Sequence, residues 1–302
     1  MNRPLALFFL ICLALHAVFV EEGEAKSPEV RPPMLAGTWY PTNADDLRKS
    51  ISAYLSGPGP ASLEGDIRGL VVPHAGHVYS GRVAGSAYRL LKDRPIRRVV
   101  MIGPSHRAAF KGISVNLQSA YETPLGNVPV DQAMGKRLLA TCPEIKWLPR
   151  AHSHEHALEI QLPFLQSVLK DFHIVPLIMG QQDLETCRRL AQGLLTVIDF
   201  PETTLFLAST DLSHFHNSRQ AETLDRLFIQ HIRNFDPLGL SRALASGDCE
   251  ACGGGPAVAV MLATQGLGAG RSTILDYAHS GHITGDLERV VGYLSAAFMQ
   301  ID

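Results

Sequence analysis

The sequence predicts a three-layer α/β/α sandwich around a mostly parallel or mixed sheet, folded as a single domain. Three observations carry this. Continuous apolar runs of strand length recur along the chain, they alternate with stretches of helical periodicity, and several runs end on histidine or aspartate. A strand that is apolar without alternation is buried on both faces, so helices must cover the sheet above and below.

The 302 residues are 46% hydrophobic and 19% charged, with a formal net charge of −2. That balance excludes disorder and a disulfide-dense miniprotein. It also excludes nucleic acid as a partner, because phosphate backbones require a basic surface. At the start, Asn2-Arg3-Pro4 precedes an apolar stretch from Leu5 to Val20 and an acidic exit ending at Ala25. Residues 1–25 therefore read as a secretory signal peptide, with Cys12 inside it. The stretch is short against the roughly 20 residues that span a bilayer, and an uncleaved anchor is the alternative. Residues 26–302 are then an exported domain, periplasmic or extracellular, that reaches a membrane through the leader only.

Ile67 to Val72 reads as the first buried strand, with a helical stretch from about Arg82 to Leu91 after it. Arg97 to Ile102 is the second strand, stopped by Gly103-Pro104. Phe172 to Met179 and Thr203 to Ser209 follow, with an amphipathic helix from about Asp183 to Ile198 between them. Helical periodicity returns at Ala221 to Ile232 and Gly255 to Ala263, and strands near Thr273 to Tyr277 and Val291 to Ala297 close the chain.

The residues with chemistry stand where strands end. His74 follows the first strand, His106 the second, and Asp211 and His214 the strand that ends at Ser209. Open α/β sheets bind ligands just beyond the carboxyl ends of their strands. Imidazoles and a carboxylate delivered to one such edge suit a metal or an acid/base site. Cys252 precedes Gly253-Gly254-Gly255-Pro256, where a helix begins. Glycines let a ligand approach the backbone, and a thiol near a helix N-terminus has its thiolate favoured by the dipole. Four cysteines follow the leader, Cys142, Cys187, Cys249 and Cys252. After export, pairing of Cys249 with Cys252 would remove that thiolate.

His152-Ser153-His154-Glu155-His156 also matches the inverted zinc-protease pattern H-x-x-E-H. Pro149 and Pro163 leave room for a short helix at best, so His152 and His154 are expected in a polar loop entering a helix. Trp39, Tyr40 and Tyr121 read as packing or as cleft walls.

Several short motifs, in order, resemble the MEMO family, the AmmeMemoRadiSam system protein B of prokaryotes. They are Ala36-Gly37-Thr38-Trp39-Tyr40-Pro41, Pro73-His74-Ala75-Gly76, Gly103-Pro104-Ser105-His106, Glu155-His156 with Glu159, Ser209-Thr210-Asp211-Leu212-Ser213-His214, Cys252-Gly253 and Val291-Gly292-Tyr293. The resemblance implies a fold similar to class III non-haem iron extradiol dioxygenases. It implies metal ligands His74, His106 and Cys252, with His214 in the acid/base position and Asp211 close by. Glu155 and His156 would line the same cleft. Two imidazoles and a thiolate suit Fe(II) first, with copper or zinc fitting the same donors, and exclude magnesium and calcium. The function expected is metal-dependent oxidation of a small-molecule or peptide ligand. The alternative is a non-catalytic module that binds peptide or protein in the same cleft.

Overall fold

The computed structural model describes residues 29–60 and 62–300, so the leader read over 1–25 lies outside the described residues. Its strands are Val30–Arg31 (β1), Asp66–Val72 (β2), Arg98–Pro104 (β3), Ile113–Val115 (β4), Ala120–Thr123 (β5), Gly126–Pro129 (β6), Ile145–Lys146 (β7), His173–Met179 (β8), Thr204–Ser209 (β9), His214–His216 (β10), Ala269–His279 (β11) and Val290–Gln300 (β12). Its helices are Ala44–Leu55 (α1), His77–Tyr88 (α2), Gln132–Thr141 (α3), Pro149–Ser153 (α4), Leu162–Val168 (α5), Leu184–Val197 (α6), Ser218–Arg233 (α7), Pro237–Ser246 (α8), Gly254–Gly266 (α9) and Gly281–Thr284 (α10).

The four continuous apolar runs are β2, β3, β8 and β9, adjacent and parallel in the order β2-β9-β3-β8. Successive residues of each strand enter opposite cores. Val71, Val100, Val175 and Phe206 pack with α6 and α9 on one face, and Leu70, Val99, Ile174 and Leu205 with α2 and α5 on the other. This is the sandwich the apolar runs require, because every position of such a strand is inside. The sheet is mixed: β12 is antiparallel to β2 and to β11, and β4 is antiparallel to β8. Local chemistry sets the helix starts. Asn43, Asp131, Asp183, Asn217 and Asp236 each accept a hydrogen bond from a first-turn amide of the helix they precede.

Three differences from the sequence reading have physical causes. α2 begins at His77 rather than near Arg82, because its small residues Gly81 and Gly85 lie against Tyr54 and give little amphipathic contrast. β11 and β12 are longer than expected, since each continues as the partner of the other. A separate sheet of β1, β5 and β6 was not legible, its strands being two to four residues long. Among the described residues no helix is long and apolar enough to cross a membrane.

Parallel β2, β3 and β9 end at the same edge. β12 runs against them, and its first residues extend past the end of β2, where His214 of β10 pairs with Val291. The topology thus brings the ends of β2, β3 and β9 together with β10.

Candidate metal centre

His74 lies just beyond β2, His106 just beyond β3, and His156 between α4 and the 3-10 turn Glu159–Gln161. One ring nitrogen from each falls within 4.8 Å of the others. The His106 and His156 rings stack with centroids 4.3 Å apart, and His74 meets them edge-on at 5.1 and 5.3 Å. Cys252 arrives from the start of α9, its Sγ 3.1 Å from His74 Nε2. The expected donors His74, His106 and Cys252 therefore come to one place. The tight trio, however, is completed by His156, which the sequence reading placed only as a wall of the cleft; Cys252 joins through His74.

Each ring has its outward face free for a reason. His74 Nδ1 is 2.9 Å from Ser209 Oγ, so Nε2 is the atom turned to the sulfur. His106 Nδ1 is 2.9 Å from Glu155 Oε1, which leaves its Nε2 uncommitted. His156 Nδ1 is buried without a hydrogen-bond partner; Glu155 Oε1 stands 3.4 Å away but out of line. Burial, then the neighbouring His106 ring, lowers His74 to about 3. Burial, then His74, lowers His156 to about 3. Both imidazoles are neutral near pH 7, with lone pairs to offer. Burial would raise Glu155, but its bonds from His106 outweigh that and hold it at about 2. Its carboxylate also accepts from the backbone amides of His156 and Ala157.

Asp211 Oδ1 accepts from the backbone amides of His74 at 2.8 Å and Ala75 at 3.3 Å, tying the end of β2 to the end of β9. Burial raises it to about 6. Cys252 departs from expectation: burial, then the Asp211 charge, pushes its thiol up to about 12. The helix dipole does not prevail, because the first amides of α9 are already bonded. Gly253 N–H donates to Thr210 Oγ1 and Gly255 N–H to Gln182 Oε1. The glycines admit the protein itself rather than a ligand: a Cβ on Gly253 would lie 2.3 Å from the Ser209 carbonyl, and one on Gly255 would lie 2.6 Å from Gln182 Cβ. Cys249 and Cys252 are both free thiols here, Cys249 buried and raised by burial to about 11.

A cleft of about 480 Å³ opens over the three rings, lined also by Trp39, Tyr79, Asp211, His214 and Tyr293. His214 thus stands in the cleft beside Asp211, as the motif implied. Its loop is fixed by Asp225, which accepts from Ser213 N–H at 3.0 Å and Tyr277 O–H at 2.8 Å.

The H-x-x-E-H pattern does not form a zinc site. α4 ends at Ser153, so His152 and His156 share no helix face. His154 is exposed as expected, but His152 is buried, with Nε2 2.9 Å from Ser114 Oγ. Sequence reasoning missed the clasp that anchors the near wall. Glu159 is fully buried and accepts from Arg31, from the Leu35 backbone N–H and from Tyr40 O–H, fixing the segment that carries Trp39. It also missed Gln182, whose side-chain Nε2 donates to the Cys252 carbonyl at 2.9 Å.

Comparison with known proteins finds relatives over most of the chain. A family model described as Memo-like protein matches residues 31–297. A MEMO1 family protein of Methanopyrus kandleri is 34% identical over 278 residues, which is 89% of this chain and 98% of that protein. One from Ignicoccus hospitalis is 37% identical over 280 residues, with the same coverage of 89% and 98%. One from Methanosarcina mazei is 35% identical over 267 residues, 88% of this chain and 97% of its own length.

Proposed function

Since the chain belongs to the MEMO family, and since three imidazoles and a thiol gather at the edge of its sheet, we propose that it is a metal-dependent oxidoreductase. The observation that carries this is the trio His74, His106 and His156, whose ring nitrogens lie within 4.8 Å of one another. Cys252 Sγ adds a donor 3.1 Å from His74. The fit to a metal is chemical as well as spatial. Two of the rings are neutral, and the buried His156 Nδ1 accepts and donates no hydrogen bond. Nitrogen and sulfur donors suit Fe(II), copper or zinc, and not magnesium or calcium.

His74 and His106 would hold the ion, with His156 and Cys252 completing the donor set. A bound redox metal supplies a Lewis-acidic centre able to exchange single electrons with a substrate. The rest is done by the chain. Glu155 orients His106, and Asp211 holds the His74 backbone amide in place. His214, in the cleft and uncommitted to the trio, takes a proton from the substrate. Trp39 and Tyr293 supply apolar wall to the cleft beside the rings. The apolar stretch from Leu5 to Val20, read as a leader, supports export, and the chemistry would then lie outside the cytosol.

The test is elemental analysis of protein purified anaerobically. Wild type should carry about one iron or copper per chain, lost in His74→Ala, His106→Ala and Cys252→Ala variants that keep their circular dichroism. A folded wild type free of metal after reconstitution, yet binding peptide in the cleft, would replace this reading with the binding module.

A further inference from the structure

Phe215 breaks two rules at once. Its backbone has a φ of 63°, in the left-handed region where a bulky side chain is strained, and the residue is 63% exposed. Phe235 shares that backbone region, but its ring packs against Phe298 of the core with centroids 5.2 Å apart, so burial offsets the strain. Phe215 has no such compensation. The pairing of β10 with β12 shifts register between His214 and His216, and Phe215 is the residue that this bulge throws out of the sheet. Its ring meets His214 edge-on at 5.7 Å and lies 5.3 Å from the Arg289 guanidinium. An aromatic side chain is thus held out in water beside the cleft at a conformational cost, which is a mark of functional positions.

Phe215 does not stand alone. Ile283 on α10 and Leu287 on the turn before β12 are also exposed. The Leu287 carbonyl accepts from Ser218 N–H, just past β10, and Ser280 N–H donates to the Val291 carbonyl, which draws α10 to the same place. Val78 and Tyr79, from the first turn of α2, are exposed as well, and both line the cleft with His214 and Val291. Exposed apolar side chains therefore gather around the mouth of the metal cleft. Surfaces that face only water rarely collect them in this way.

We propose that this rim docks on a lipid bilayer, with Phe215, Ile283 and Leu287 entering the headgroup boundary and the cleft mouth turned toward the lipid. Two observations favour lipid over a protein partner. The three side chains stand on separate short segments rather than along one groove or helix face that a peptide could match. Charge gives no address either, since Asp286 and Glu288 are offset by Arg289 and Arg219. What remains is apolar, and aromatic and aliphatic side chains suit that boundary. The chain also carries its own apolar stretch, Leu5 to Val20, separated from Glu29 by residues 21–28 alone, at most roughly 30 Å of extended chain. Where that stretch is retained as an anchor, it holds the domain against the membrane on which the rim docks. The docking uses no metal donor, so its failure and the failure of the oxidoreductase reading are separate results.

The experiment is quenching of tryptophan fluorescence by phosphatidylcholine vesicles with brominated acyl chains. Phe215→Trp and Phe200→Trp are each made in the full chain; Phe200 is also exposed but precedes β9, at the opposite end of the sheet. Trp39 and Trp147 are common to both variants, so the difference between them reads the added ring. Phe215→Trp should lose most of its added emission on mixing with the vesicles, and Phe200→Trp should lose none. Combining Phe215→Trp with Ile283→Asp, or with Leu287→Asp, should restore the emission with the circular dichroism unchanged, since both side chains are exposed. Absence of quenching at position 215 overturns the proposal, even where the chain binds vesicles through Leu5 to Val20. Equal quenching at both positions also overturns it, as does quenching that survives both aspartate substitutions. Sedimentation velocity without lipid tests the remaining occupant: a dimer of the full chain that dissociates with Ile283→Asp assigns the rim to a second copy and overturns the docking on lipid.

Discussion

Glu155 grips His106 at two points: Oε1 lies 2.9 Å from the imidazole Nδ1, and Oε2 lies 2.6 Å from the backbone nitrogen. His106 is the most exposed of the three histidines and sits on a loop, so without this grip its ring would be free to rotate. A carboxylate on the far nitrogen fixes both tautomer and direction, and it makes the near nitrogen a better donor. Glu155→Gln retains the shape and one acceptor but loses the charge. Metal affinity should fall by roughly 10–100-fold, measured by chelator competition, with little change in fold. Unchanged affinity would mean that His106 needs no carboxylate to find its place.

Gln182 does a similar service for Cys252. Its amide spans the start of α9, donating to the Cys252 carbonyl and accepting from Gly255 N–H, both at 2.9 Å. With the thiol near 12, the thiolate fraction at pH 7 is on the order of 1 in 10⁵. Cys252 in the metal-free protein should therefore be alkylated very slowly by iodoacetamide, although it is partly accessible. Gln182→Ala frees the segment, so alkylation should accelerate and metal affinity should drop, with the circular dichroism unaltered. A wild-type thiol that reacts at the rate of a free cysteine would contradict the burial argument.

Arg31 and Glu159 pair at 2.5 Å with side chains 1% and 0% exposed. Removing one member of such a pair leaves a buried charge uncompensated, which costs about 3–5 kcal/mol. Glu159→Ala should lower stability by that order in urea denaturation. The double variant Arg31→Met, Glu159→Ala should recover part of it, because no charge is then stranded. If the double variant is the sum of the two singles, the clasp is not acting as a pair.

How much was legible follows from what each signal measures. Continuous apolar runs report burial on both faces, so β2, β3, β8 and β9 could be read directly. β1 and β7, two residues each, carry no such period and depend on partners far along the chain. His74, His106 and Asp211 were visible because strand ends converge by topology. His156 was read only as cleft lining, since the loop that turns it inward follows no strand. Arg31 gave no signal at all: its partner is 128 positions away, and a lone arginine in a sequence looks exposed. At Cys252 a local rule, the helix dipole, was outweighed by burial, which spacing does not reveal.

Two histidines outside the centre make stability depend on pH in a predictable direction. Burial lowers His77 to about 4 and His152 to about 3, the latter aided by the Arg31 charge. Near 6.5 an unfolded chain begins to bind protons at these positions while the folded chain does not. Proton uptake by the unfolded state drives unfolding, so the stability present above pH 6.5 is lost on acidification. The loss for each ring approaches about 1.4 kcal/mol per pH unit and continues to about pH 4 for His77 and about pH 3 for His152. Other groups titrate in the same range, so the contribution is isolated by difference. Between pH 6 and 4.5, the slope of unfolding free energy against pH should be shallower in His77→Gln than in wild type by about 1 kcal/mol per unit. His152→Gln should show the same change. Parallel slopes for variant and wild type would mean that these rings are protonated in the folded protein, and that water reaches walls described here as buried.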